Sequence, residues 1–262
     1  MVFSHLNFAW RVIGTGLAFA GFLSGGFLLA VFAFPAIDFF TQDTKLRRER
    51  HHALVRWAFQ LFIGVLTRLG IMTVRLEKIA VLSQSRGMIV VANHPTLIDV
   101  VLLSAVIPRV QCIVKRELWS SLFLGPVMRG NGYIPADLDP EALVAACREA
   151  LDDGRCLIVF PEGTRTRPGE PVRFHRGFAH LATLLEADIQ LLLITCTPTT
   201  LTKGEKWWQI PPHRPVFQVS PVGRLDAGSW RGNAHRSVTV RDIVRRLERF
   251  YNERLVGGYA GD

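Results

Sequence analysis

Between residues 12 and 37 the chain carries no charged side chain, a run of 26 positions. A helix of that length covers roughly 39 Å, against a bilayer hydrocarbon core of ~30 Å. Five glycines and Pro35 interrupt the run, so it can either cross the bilayer or lie as a broken helix in one leaflet. A cleaved secretory signal would have a shorter apolar core followed by a small-residue cleavage site. Here the run instead enters Phe34-Pro35 and then a basic cluster, Lys45, Arg47, Arg48 and Arg50 with His51 and His52. Cations on that side predict a body facing the cytoplasm. A second uncharged stretch, residues 57–67, lies between Arg56 and Arg68. It is too short to span and is expected to be an interfacial helix with cationic ends, a core helix being the plainer alternative.

After Gly70 the pattern changes to short β-rich runs followed by helical stretches. Strands are expected at residues 88–92, 110–114, 156–160, 189–195 and 216–219. Helices are expected at 117–128, 140–153 and 178–187. A last helix is expected from a Thr239-x-x-Asp242 capping signal to about Leu255, with Ile243, Val244, Leu247, Phe250 and Tyr251 as its apolar stripe. Alternation of this kind predicts an α/β domain, a mixed sheet flanked by helices, behind an N-terminal membrane-embedded helical segment. The division expected is 1–70 as anchor with interfacial helix and 71–262 as catalytic domain.

Charge sharpens that division. The 262 residues hold 31 Lys+Arg against 22 Asp+Glu, a net +9, with a mean hydropathy of +0.22. That hydrophobicity excludes a disordered chain. The first 44 residues sum to −1 and the remainder to +10, so an apolar head precedes a basic body. A basic body meets phosphate, whether nucleic acid, lipid surface or a small anion. No nucleic-acid-binding motif accompanies the basic residues, and the apolar head points to lipid. Cys112, Cys147, Cys156 and Cys196 have neither zinc-knuckle nor redox spacing and are expected to be buried free thiols. The eight histidines show no ligand-like grouping, and no metal is expected.

In α/β sheets, sites gather at the carboxyl ends of strands. The 88–92 run ends in Asn93-His94-Pro95-Thr96-Leu97-Ile98-Asp99. Pro95 suits the start of a helix, and Asp99 is then close enough to fold back on His94. A carboxylate on one imidazole nitrogen fixes the tautomer and leaves the other as a general base. No Gly-x-Ser-x-Gly elbow accompanies the pair, which suits direct transfer to an acceptor hydroxyl. The 156–160 run ends in Pro161-Glu162-Gly163-Thr164-Arg165, a small polar cup with a close-approach glycine and a guanidinium fork.

In that order, these two strand ends resemble the first and third motifs of the lysophospholipid acyltransferase family, which includes the 1-acylglycerol-3-phosphate acyltransferases. The likeness runs from about Val74 to Val219, and the apolar head followed by a short second helix resembles the family's membrane-docking start. It implies His94 and Asp99 as catalytic dyad and Asn93, Glu162, Gly163, Thr164 and Arg165 as substrate-binding residues. It also implies an O-acyltransferase of phospholipid biosynthesis at the inner membrane, taking an acyl group from coenzyme A or acyl carrier protein to a lysophospholipid hydroxyl. No cofactor beyond that co-substrate is implied. Two departures stand out. In Gly132-Tyr133-Ile134-Pro135-Ala136-Asp137-Leu138, Leu138 occupies the place of the second motif's arginine. The fourth motif is reduced to Thr195-Cys196-Thr197-Pro198-Thr199. Lys115, Arg116, Arg129 or Arg173 are candidates for the missing charge. The departure at Leu138 admits a non-phosphate acceptor, a lyso-ornithine-type or aryl-polyene-type lipid. A non-catalytic membrane adaptor is the remaining alternative.

Overall fold

The computed structural model describes residues 2–122, 124–230 and 236–259. A seven-stranded sheet lies at its centre: β1 (Thr73–Leu76), β2 (Ile89–Ala92), β3 (Val110–Val114), β4 (Ile134–Pro135), β5 (Cys156–Val159), β6 (Ile189–Thr197) and β7 (Val216–Leu225). The spatial order is β1-β7-β6-β2-β5-β3-β4. All pairings are parallel except β6 with β7. Every residue of β2 is buried, as expected of a central parallel strand covered on both faces.

The sheet is larger than the sequence pattern predicts. β7 runs six residues past Val219, because Pro221 and Gly223 flank a bulge opposite Leu191 and Leu192 of β6. A bulge is where a sheet tolerates proline. β1 and β4 are too short to leave a periodic signal.

Helices cover both faces. α8 (Pro140–Asp152), α9 (Gly177–Leu185) and α10 (Arg236–Tyr259) form one core with the sheet, through Cys147, Phe178, Leu181, Leu247 and Tyr251. α4 (Ile79–Ser83), α5 (Asp99–Val106), α6 (Arg116–Trp119) and α7 (Gly125–Gly130) belong to the other face. The helix expected at 117–128 is thus two short ones. Pro126 suits a first turn and not a helix interior, so a new helix starts there. α10 starts at Arg236, which puts Thr239 inside the helix rather than at its cap. All four cysteines are buried free thiols.

The head is α1 (Val2–Leu28), one π-helical turn (Leu29–Ala33) and α2 (Phe34–Phe40). The stretch His5–Phe40 is long and apolar enough to cross a membrane. α3 (Thr44–Arg68) begins at Asp43, whose carboxylate accepts from Leu46 N at 2.7 Å. The uncharged stretch 57–67 is therefore the second half of a helix whose first half is the basic cluster. α3 runs back along α1. Trp10 Nε1 donates to Leu69 O at 2.9 Å, the Phe22 ring lies 5.0 Å from Phe62, and the Phe34 ring lies 4.7 Å from His51.

This hairpin is fastened to the body along its length. Val55, Phe59 and Leu66 are buried in a cluster with Val101, Leu102 and Ala105 of α5. Arg56 Nη2 donates to Val106 O at 3.2 Å, and Gln60 Nε2 to Ala105 O at 2.8 Å, satisfying the last carbonyls of α5. Trp57 and Leu61, on the other side of α3, are exposed.

Candidate active site

The site begins where β2 stops. Asn93 is buried, and its amide pairs twice with Ile194 of β6: Nδ2 donates to the carbonyl and Oδ1 accepts from the N–H, both at 2.8 Å. The side chain thus completes the ladder just as the main chain turns away. His94 follows, its own backbone fixed on both sides. Its N–H donates to Glu162 Oε1 at 2.8 Å, and its carbonyl accepts from Thr166 N at 3.1 Å. The imidazole stacks on Phe160, with centroids 4.2 Å apart.

Asp99 opens α5 and is wholly buried. Its Oδ2 lies 2.8 Å from His94 Nδ1 and accepts from Thr96 N at 2.7 Å, while Oδ1 accepts from Thr96 Oγ1 at 2.5 Å. Three polar contacts to one buried carboxylate fix its position and satisfy it in a place where an unpaired polar group would be unfavourable. Nδ1–H donating to Asp99 leaves the lone pair on Nε2. The His94 side chain is 20% exposed, and no described residue bonds Nε2. A base held by a carboxylate, with its free nitrogen facing outward, is built to take a proton from a bound hydroxyl.

At the second strand end Glu162 is buried: Oε1 accepts from His94 N and Oε2 from the Thr166 hydroxyl. Burial pushes its carboxyl above the usual range, opposed by the bonds from Thr166 and His94. Glu162 positions the histidine backbone. Gly163 is exposed at φ +66°, and a Cβ there would meet the His175 ring at 3.0 Å. Thr164 is exposed beside it. Arg165 is half-buried and Nη1 donates to the carbonyls of Leu201 at 2.9 Å and Thr202 at 3.0 Å. Arg165 thus ties the motif to the segment after β6.

Lys115 is exposed at the head of α6, after β3, which is separated from β2 by β5 and so lies about 10 Å to the side. Arg116 is ion-paired with Asp137, and Arg129 donates to Trp119 O at 2.8 Å. Lys115 and Arg173 have no ion-pair partner among the described residues. Leu138 is 36% exposed.

Several residues of the site left no usable sequence signal. Thr166 and His175 match no spacing rule. Tyr251 of α10 brings its hydroxyl to Val91 O at 2.9 Å and Leu192 O at 3.0 Å, under the end of β2 and the middle of β6. Thr96 did carry a signal, since Thr96-x-x-Asp99 is itself a capping pattern.

Comparison with known proteins places this geometry. The Acyltransferase family model matches residues 73–198. A 1-acyl-sn-glycerol-3-phosphate acyltransferase from Helicobacter pylori strain J99 is 35% identical over 127 residues, covering 46% of this chain and 53% of that one. The enzyme of the same name from Cocos nucifera is 30% identical over 115 residues, 42% of this chain and 37% of the relative. The chain spans about half the length of the curated relatives it matches. The crystal structure of the 1-acyl-sn-glycerophosphate acyltransferase PlsC from Thermotoga maritima superposes with a TM-score of 0.66 at 20% identity, over 94% of this chain and 96% of that one. The two share the fold.

Proposed function

We propose that this chain, which matches the Acyltransferase family model over residues 73–198, moves a fatty acyl group from a thioester of coenzyme A or acyl carrier protein to the hydroxyl of a lysophospholipid such as 1-acylglycerol-3-phosphate. The observation that carries this reading is the His94–Asp99 pair at the carboxyl end of β2, held by its carboxylate on one nitrogen and open at the other.

His94 Nε2 takes the hydroxyl proton as the oxygen attacks the thioester carbonyl. The C–O bond forms, the C–S bond breaks, and the proton passes from the imidazolium to the leaving thiolate sulfur. Asp99 holds the ring in register and stabilises the imidazolium while it exists. Phe160 and the Glu162 bond keep the ring and its backbone from moving between those positions. Gly163, Thr164 and the unbonded edge of Arg165 form the rim against which the acceptor is placed, with Lys115 as a more distant cation. Much of the acceleration comes from holding both substrates in line.

The anchor, residues 1–70, would hold the catalytic part at the inner membrane facing the cytoplasm. The hairpin's packing favours lying in one leaflet over crossing it. Near one end, the Arg11 guanidinium is bonded to loop carbonyls at residues 211–213. At the other, Phe34 lies against Gly130, and Arg48 bonds Glu149 at 2.9 Å. A helix pair attached to the body at both ends presents a long side, not an end, to lipid. Exposed Leu17, Leu23, Phe32, Phe39, Phe40 and Trp57 supply that side.

Leu138 favours a second acceptor class, a lyso-lipid without a phosphate monoester. Incubating purified full-length protein with palmitoyl-CoA or palmitoyl-acyl carrier protein and either lysophosphatidate or lyso-ornithine lipid, with products read by mass spectrometry, separates the readings. Phosphatidate is the expected product. Acylation of the non-phosphate lipid alone would move the assignment to the second class, and no transfer to either would overturn both.

A further inference from the structure

The connection from β6 to β7 covers 18 residues, 198–215, where antiparallel neighbours usually need two to five. Trp207 and Trp208 stand near its middle, 40% and 48% exposed, packed edge to face at 5.4 Å. Lys206 lies 5.0 Å over the Trp208 ring, and Lys203 and Arg214 are exposed nearby in the chain. One side of this loop is welded to the apolar head. Trp207 crosses α1 where residue 16 is glycine, and a Cβ there would lie 2.9 Å from the indole. Phe19 lies 6.5 Å from the same ring. Arg11, 1% exposed, donates to the carbonyls of Pro211 at 2.9 Å, Pro212, and His213 at 3.0 Å. The loop's root reaches the other way: Leu201 O accepts from Leu97 N at 3.0 Å and from Arg165.

We propose that residues 203–214 form a second membrane-contact element, an aromatic and cationic wedge that seats in the interfacial layer of an anionic bilayer and sets the height of the dyad above it. Indole rings prefer the headgroup level, and lysines near an anionic surface are attracted to it. Contact with α1 decides the occupant, because Trp207 packs on Gly16 and Phe19, to either side of exposed Leu17 in the chain. The mechanical consequence follows from the root. A loop held at the interface holds Leu97, two residues before Asp99, and Arg165 with it. The proposal rests on the membrane reading of the head.

An environment-sensitive fluorophore separates the two. The native thiols are all buried, so single labels go on Lys206→Cys, Leu17→Cys of α1 and Glu253→Cys of α10, on the far face. Full-length protein is mixed with vesicles of equimolar phosphatidylcholine and phosphatidylglycerol, with brominated acyl chains as quencher. Blue-shifted, quenched emission is expected at 206 and 17, and water-like emission at 253. Apolar emission at 17 with water-like emission at 206 would overturn the wedge and leave the membrane reading standing. Water-like emission at both would overturn the two together. The Trp207→Ser/Trp208→Ser protein should turn over vesicle-borne acceptor several-fold more slowly than wild type and detergent-dispersed acceptor at the same rate. Equal rates on vesicles would also overturn the wedge.

Discussion

Two histidines at opposite ends of the sheet, His94 half-buried and His52 buried, have been given opposite companions. His94, at the carboxyl edge, has a buried carboxylate at 2.8 Å and a free second nitrogen near solvent. His52, on α3, lies against the amino edge among cations. Arg109 precedes β3, Arg155 precedes β5, and Arg48 and His51 share its helix. The nearby acids are taken: Glu149 of α8 and Asp153 just after it bond Arg48 and Arg155, and Glu49 bonds Arg109. His52 Nε2 has no hydrogen-bond partner among the described residues. Burial first, and then Arg155, Arg48, His51 and Arg109, push its pKa down to about 4. Burial alone does not make a histidine a base. The adjoining groups differ: among the described residues, His94 has a buried carboxylate to which no guanidinium is bonded, and His52 lies among Arg155, Arg48 and Arg109.

The largest effect that tests this contrast is His94→Ala. Transfer should fall by about 10²–10⁴-fold, the usual share of a general base, or about 3–5 kcal/mol of barrier. Vesicle flotation should be unchanged, because His94 touches no part of the head. Near-normal turnover in an acyl-CoA assay would remove the proposed division between the two histidines. Next in size is Asn93→Ala. It orphans the N–H and C=O of Ile194 in a buried place, costing about 1–3 kcal/mol for each. The loss should register in chemical denaturation. Normal stability with lost acceptor affinity would return Asn93 to the binding role expected from its motif.

That reversal shows what a sequence can and cannot say here. The strands at 88–92 and 156–160, the turn after each and the His94–Asp99 pairing were legible because strand propensity and a five-residue separation are local properties. Asn93 and Glu162 were located at the strand ends, but their bonds to Ile194 and to the His94 backbone were not foreseen. Whether a polar side chain at a strand end turns outward or inward depends on a partner 101 positions away for Asn93 and 68 for Glu162. The capping pattern was read at Thr239, where the helix had already begun, and passed over at Thr96, where it orients the dyad. Short sequence patterns do not carry the tertiary context that selects between them.

The third prediction concerns pH and uses His52 directly. Its native pKa lies below that of the unfolded chain, so between about pH 6.5 and 4 the unfolded state binds the extra proton. Stability present above pH 6.5 is therefore lost as pH falls through that window, by up to about 3 kcal/mol. In detergent, the unfolding free energy of His52→Gln should gain on wild type steadily from pH 7 to pH 4, with equal activity at neutral pH. Parallel curves would mean that α3 opens and admits the proton, and the contrast with His94 would weaken.

The smallest expected effect lies back at the carboxyl edge, where the dyad's surroundings are least cationic. Arg116 is neutralised by Asp137, and Arg165 bonds two carbonyls on one side. A phosphate placed at the rim would therefore meet Lys115 and the free edge of Arg165 and little else. Leu138 sits next to Asp137 and is exposed enough to be exchanged without disturbing the core. Leu138→Arg should add about 1 kcal/mol of charge-assisted bonding to a phosphate at that rim, seen as a several-fold lower KM for lysophosphatidate with kcat unchanged. An acceptor without phosphate should show no gain. If lysophosphatidate gains nothing either, its phosphate is held elsewhere, and Arg173 becomes the cation to replace next. If kcat rises with the affinity, the arginine acts in the transition state, and the missing cation has been limiting the chemistry that His94 begins.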